Sequence, residues 1–284
     1  FLHLVAAALV YRLALRLLAG HPRAALAAAL AALLFALHPL QAQAADYVIN
    51  RSGLLGAVGT LGFVLAGLKV ADGGWRWLWA ALVFWFLGMA GKETAVMAPP
   101  LAWIALVWTG RQGRGSKGLG LALLGLFGIE VLLFFSSVLA AFPGRIGEFK
   151  IYWATQVWVL PQYVRLALFP WPMSITHHVP DMSRWDPRYL GAAALWTGLL
   201  GTLWMARRHR GILWAALWAL VALLPESGLI PLEDRMMEHR CTLALVAPAV
   251  AAGAMLANRI ARSRASSRAV AALLGLMALA TMGR

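Results

Sequence analysis

The chain has 284 residues, 62% hydrophobic and 13% charged, with 25 Lys and Arg against 11 Asp and Glu and a formal charge of +14. A soluble domain carries roughly 45–50% apolar residues, so this composition excludes one. The basic excess does not indicate nucleic-acid binding, because the cations are scattered among turns between apolar runs and are not gathered in a groove. The lone Cys241 excludes an internal disulfide or a multi-cysteine metal site.

Apolar runs predict an all-α polytopic membrane bundle. A bilayer core takes about 20 apolar residues per helix, or fewer where the flanks snorkel. The spans fall at about 1–19, 24–40, 54–71, 76–91, 94–109, 118–141, 189–206, 211–226, 240–257 and 268–284, which makes ten helices. Fifteen of the 25 basic residues lie in five clusters between them: Arg12/Arg16/Arg23, Lys69/Arg76, Arg111/Arg114/Lys117, Arg207/Arg208/Arg210 and Arg259/Arg262/Arg264/Arg268. Most acidic residues lie in the alternate gaps, among them Asp46, Glu93, Glu148, Asp181, Glu226 and Glu238. Alternation of this kind follows the positive-inside rule and turns the acidic gaps away from the cytoplasm. The fourteen Trp suit two membrane interfaces.

Residues 150–168 are only moderately apolar and carry Gln156, Pro161, Gln162 and Arg165. The gaps on both sides, Pro143 to Lys150 and Phe169 to Pro187, must face outward if the alternation holds. An in-plane or re-entrant helix on the outer face is therefore expected. The alternative is an ordinary eleventh crossing.

Four outward segments carry the candidate site. In the first, Pro39 breaks the helix behind His38, Gln41 and Gln43 offer amides to sugar hydroxyls, and Arg51 could clamp a phosphate with two hydrogen bonds or simply snorkel. The second, Gly91-Lys92-Glu93-Thr94, sets two charges close to hydrocarbon, where they must be paired or serve a site. Glu93 also suits the N-terminus of the following helix. In the third, Pro170, Pro172 and Pro180 stiffen a covering loop. His177, His178 and Asp181 within it are of metal-ligating type, but their spacing matches no strong signature. No metal site or cofactor is assigned, and a divalent metal stays open. In the fourth, Glu226 is followed by Glu238-His239-Arg240 at the head of a helix, a place suited to an anion. Glu130 sits inside an apolar run, as a functional carboxylate or as a neutral one hydrogen-bonded between helices.

Three of these stretches resemble a known family. They are His38-Pro39-Leu40-Gln41 with Tyr47-Val48-Ile49-Asn50-Arg51, Gly91-Lys92-Glu93-Thr94-Ala95-Val96 with Pro99, and Pro225-Glu226-Ser227 with Ile230-Pro231-Leu232 before Glu238-His239-Arg240. In order and spacing, over roughly residues 1–260, they are similar to the transmembrane-and-tetratricopeptide-repeat O-mannosyltransferases of the GT-C glycosyltransferase superfamily, of which this chain looks like a bacterial relative. Cys241-Thr242-Leu243-Ala244 departs from the family's Tyr-Leu-Pro-like run, and Gln41 and Gln43 stand where animal relatives often have His and Glu.

The resemblance implies a single GT-C-like domain over 1–284, truncated at both ends, without its first outer loop and its repeats. It implies an inner-membrane enzyme with a periplasmic active face. That enzyme would move a sugar from a polyprenyl-phosphate donor to a protein or glycan hydroxyl. The main catalytic carboxylate is expected before Phe1, so the fragment alone is expected to be inactive. Arg51, Lys92 and Arg240 would hold the phosphate. Glu93 and Glu238 would orient those cations or position the acceptor. His38, Gln41, Gln43, Glu226 and His239 would complete the substrate site. Two other classes compete: a polytopic transporter or lipid flippase, which would place polar sites near the midplane, and a non-catalytic membrane scaffold for the repeats.

Overall fold

The computed structural model describes residues 1–110, 114–141, 146–174, 176–182, 186–229 and 232–282. Residues 111–113, which belong to a basic cluster, the start of the gap before residue 150 (142–145), residues 183–185, and Ile175, Ile230 and Pro231 lie outside them. Among the described residues there are thirteen α-helices and no strand: α1 (Leu2–Leu17), α2 (Ala24–Leu37), α3 (Ala42–Asp46), α4 (Arg51–Ala71), α5 (Trp77–Gly91), α6 (Ala98–Trp108), α7 (Arg114–Ala141), α8 (Ile146–Leu168), α9 (Arg188–Met205), α10 (Arg210–Leu224), α11 (Cys241–Ala244), α12 (Val246–Ile260) and α13 (Arg264–Met282).

Four stretches are long and apolar enough to cross a membrane: Arg51–Ala71, Arg188–Arg208, Arg210–Gly228 and Arg264–Met282. The count rises to six if α2 with the segment Pro39–Asp46, bent by 57°, and Glu238–Ala244 with α12, bent by 59°, each form one span. Trp77–Gly91, Glu93–Trp108 and Gly118–Leu133 are shorter apolar helices. This is the architecture of a membrane protein, and the large apolar side chains left on its outside, such as Leu132, Leu190, Leu276 and Leu279, suit lipid.

Close backbone approach organises the centre. Gly56, Gly59 and Gly62 repeat every three residues on α4 and face α5. A Cβ on Gly59 would fall 2.3 Å from the Cα of Gly88, and one on Gly91 would fall 2.7 Å from the nitrogen of Gly56. Small residues of this kind let membrane helices pack by van der Waals contact where no hydrophobic drive exists. Gly253 does the same for α12 on α2, where a Cβ would meet the carbonyl of Ala27 at 2.5 Å. The helix α4, buried along most of its length, packs on α1, α5 and α6, and α10 packs on α12. There the indole of the buried Trp218 donates to the carbonyl of Leu243 (2.9 Å).

The two ends of the bundle differ in charge. One gathers Arg12, Arg16, Lys69, His21, Arg208 and Arg210, with Trp108 donating to the carbonyl of Leu17 (3.0 Å). The other gathers the Pro39 turn, Lys92, Glu226 and the Glu238–Arg240 turn. Glu130 lies in neither group: it is buried in α7 and accepts a hydrogen bond from the indole of Trp85.

Candidate functional site

Helix breaks set the site. Gly91 and Lys92 end α5, and the close α4–α5 crossing presses the Lys92 Cβ against Gly56. Pro225 has no N–H to continue the ladder of α10, and the chain widens into a π turn over Pro225–Leu229 that carries Glu226. Met237 is extended, and a 3-10 turn over Glu238–Arg240 then enters α11.

These three breaks bring residues distant in sequence onto one carboxylate. Lys92 Nζ lies 2.5 Å from Glu226 Oε1, and Arg240 Nε lies 3.8 Å from the same oxygen. Glu226 and Arg240 are both buried. Arg240 also donates from Nη2 to the carbonyl of Asp234 (2.7 Å) and from Nη1 to that of Arg235 (3.3 Å). Asn50, Lys92, Thr94, Glu226, His239 and Arg240 surround a cavity of about 20 Å³. That volume holds about one water molecule and is too small for a phosphate.

Helix α8 closes the cluster from the side. The Tyr152 hydroxyl donates to the backbone carbonyl of Glu226. The Tyr163 hydroxyl accepts from the backbone N–H of Met237 (3.0 Å), and the amide of Gln156 donates to the carbonyl of Arg235 (3.0 Å). Tyr152, Thr155, Gln156, Val159, Tyr163 and Leu166 form the buried stripe of this helix, at the three-to-four-residue spacing of one helical face. Sequence reasoning missed Asn50 and the two tyrosines. The eleven-residue spacing of the tyrosines, three turns of helix, was the available signal.

The other candidates fall around this centre in different ways. Glu238 is wholly buried and turns to the covering loop, accepting from the backbone N–H of Ser174 (2.7 Å) and lying 2.9 Å from His177 Nε2. The ion-pair partner of Lys92 and Arg240 is therefore Glu226. The side chain of Gln43 accepts from the backbone N–H of His239 (2.9 Å), which ties the first segment to the fourth. His38 spends both ring nitrogens on backbone, Nε2 on the carbonyl of Ala167 (3.0 Å) and Nδ1 on the N–H of Leu40 (3.2 Å). Arg51 is exposed at the head of α4 and Glu93 is half-buried; neither makes an ion pair among the described residues.

Buried polar atoms without a protein partner are uncommon. At this end they include both amide atoms of Gln41, His239 Nδ1, Arg240 Nε and Ser227 Oγ. Outside the cluster, Thr176, His177, His178, Asp181, Asp234 and Arg235 line a polar cleft of about 330 Å³. Arg235 grips Asp181 with two hydrogen bonds (2.6 and 3.0 Å). With His177 on Glu238 and Asp181 on Arg235, the loop's metal-ligating residue types point to different partners. Among the described residues no group of three or more His, Cys, Asp or Glu is placed to hold a metal. No protein-family model, curated protein or solved structure matches the chain.

Proposed function

We propose that this chain is a multipass membrane glycosyltransferase of GT-C type, which moves a sugar from a polyprenyl-phosphate donor to a hydroxyl of a protein or glycan. The observation that carries the reading is the convergence of Lys92 and Arg240 on one buried anion, the Glu226 carboxylate, at the mouth of an apolar bundle. Two cations from separate helix ends are the provision that a leaving phosphate needs. The order and spacing of the three motifs support the same reading. Glu226 holds the anion position in the absence of donor, and the donor phosphate displaces it from Lys92.

In the proposed reaction the acceptor oxygen attacks the anomeric carbon and loses its proton to a carboxylate base. The bond from that carbon to the phosphate oxygen breaks, and the electron pair leaves on polyprenyl phosphate, where Lys92 and Arg240 stabilise it. Glu238, held by His177 and Ser174 beside the polar cleft, positions the acceptor. Glu93, half-buried and without an ion pair among the described residues, is a second carboxylate for this role. Arg51 meets the phosphate at the rim, and Gln41, Gln43, His38 and His239 shape the sugar pocket.

The reading includes ten crossings with the site on the periplasmic face of the inner membrane. Helix α8 would lie in the plane of that face. Its buried polar stripe and its opposite apolar face, with Ile151, Trp153, Val157 and Leu168 exposed, favour that placement. A transporter or flippase is the second reading, favoured by the buried Glu130 alone. Membranes carrying the complete protein are incubated with labelled polyprenyl-phosphate sugars. Label passing to protein or glycan supports the enzyme; label moving across the membrane still attached to its lipid supports the second reading.

A further inference from the structure

At the end of the bundle opposite the candidate site, α1, α4 and α5 enclose a cleft of about 520 Å³. Three cations line it: Arg12 and Arg16 from α1 and Lys69 from α4. The nearby carboxylate, Asp72, lies 2.6 Å from Arg16 Nη1 and offsets one of them. Arg12 makes no ion pair among the described residues and is exposed, so its charge serves no internal contact. Lys69 is held in place by the Trp77 ring, with Nζ 3.3 Å from the ring centroid.

The rest of the cleft is apolar. Leu65 and Phe84 line its inner part, and Trp77 stands at its mouth. Trp77 and Phe84 are seven residues apart on α5, which is about 10 Å of helix. The cleft thus runs from a cationic rim, at the interfacial level a tryptophan favours, to a depth that acyl chains occupy.

We propose that this cleft binds an anionic phospholipid. The headgroup phosphate sits among Arg12, Arg16 and Lys69, and an acyl chain lies along Leu65 and Phe84. Basic recesses between membrane helices recognise anionic headgroups in this way. A free phosphate ion shares the headgroup chemistry but makes no use of the apolar wall. The site is separate from the glycosyltransferase reading and stands whether or not that reading holds.

The test is native mass spectrometry of the full chain in detergent, with phosphatidylglycerol or phosphatidylcholine of the same acyl chains added in turn. The expected result is retention of phosphatidylglycerol over phosphatidylcholine by at least about tenfold, lowered about fivefold by Arg12→Gln and further by Arg12→Gln/Lys69→Gln. Arg208→Gln, the same charge change at another cleft of this end, should leave retention unchanged. Because Arg12 is exposed, its single variant keeps the test valid if the double variant fails to fold. Equal retention of the two lipids, or an equal loss with Arg208→Gln, overturns the proposal. Displacement of the lipid by millimolar inorganic phosphate also overturns it and makes the cleft a free-anion site.

Discussion

Replacing Glu226 by Gln removes the carboxylate that Lys92 and Arg240 share. Deleting one partner of a buried ion pair costs about 3–5 kcal/mol, because it strands the other charge out of water. Here the Lys92 side chain is 17% exposed and Arg240 keeps the carbonyls of Asp234 and Arg235. Partial solvation of Lys92, and the carbonyls that stay with the buried Arg240, put the expected loss at the lower end, about 3 kcal/mol. Lys92→Met should lose less, since Glu226 then still faces Arg240, and the double variant Lys92→Met/Glu226→Gln should recover part of the loss. Equilibrium unfolding in mixed micelles measures the cycle. A coupling of about 1–3 kcal/mol is expected for groups in direct contact. Additive losses, with a coupling under about 0.5 kcal/mol, would refute the pair and with it the geometry of the site.

Further outcomes follow from the same structure. Gly59→Ala drives a methyl into the backbone of α5 and should destabilise by about 1–3 kcal/mol in the same assay. Gly67→Ala, whose methyl would meet Ala102 at an ordinary 3.9 Å, should be neutral or stabilising. Gln43→Ala leaves the backbone N–H of His239 without its acceptor and should cost about 1–3 kcal/mol by thermal unfolding. Gln43→Glu keeps an acceptor at that position and should lose less. Glu130→Gln still offers an oxygen to the Trp85 indole and should stay within about 0.5 kcal/mol of the parent, whereas Glu130→Leu should not.

The sequence was most informative where a residue type has few structural uses. Lys92 stood out because a charge bordering hydrocarbon needs a partner, and Arg240 because it heads a helix; the fold brings both onto Glu226, although Lys92 and Glu226 are 134 residues apart. The pairing itself was not legible. Glu238 adjoins Arg240 in sequence and was expected to orient the cations, but the 3-10 turn sends the two side chains in different directions, one to His177 and one to Glu226. His38 and Gln43 read as substrate ligands because the pattern could not reveal that the backbone of Ala167, Leu40 and His239 claims them. The apolar runs located the helices well, including the break near residue 225. By length and composition four to six of them reach full spanning length, and the short helices, such as α5 at Trp77–Gly91, follow the short apolar runs themselves. The buried tyrosines of α8 escaped notice because an aromatic at helical spacing is ordinary core until its hydroxyl is seen to close a site.

The central claim is that Lys92 and Arg240 hold the phosphate of a lipid-linked sugar while the sugar is transferred. The most direct test is label transfer from polyprenyl-phosphate sugars in membranes carrying the complete protein as parent, or its Lys92→Ala, Lys92→Arg or Arg240→Ala variant, at matched, correctly inserted levels. The account predicts transfer by the parent, a loss of about 100-fold or more in each alanine variant, and partial recovery in Lys92→Arg. Transfer that survives both alanine substitutions undiminished would contradict it.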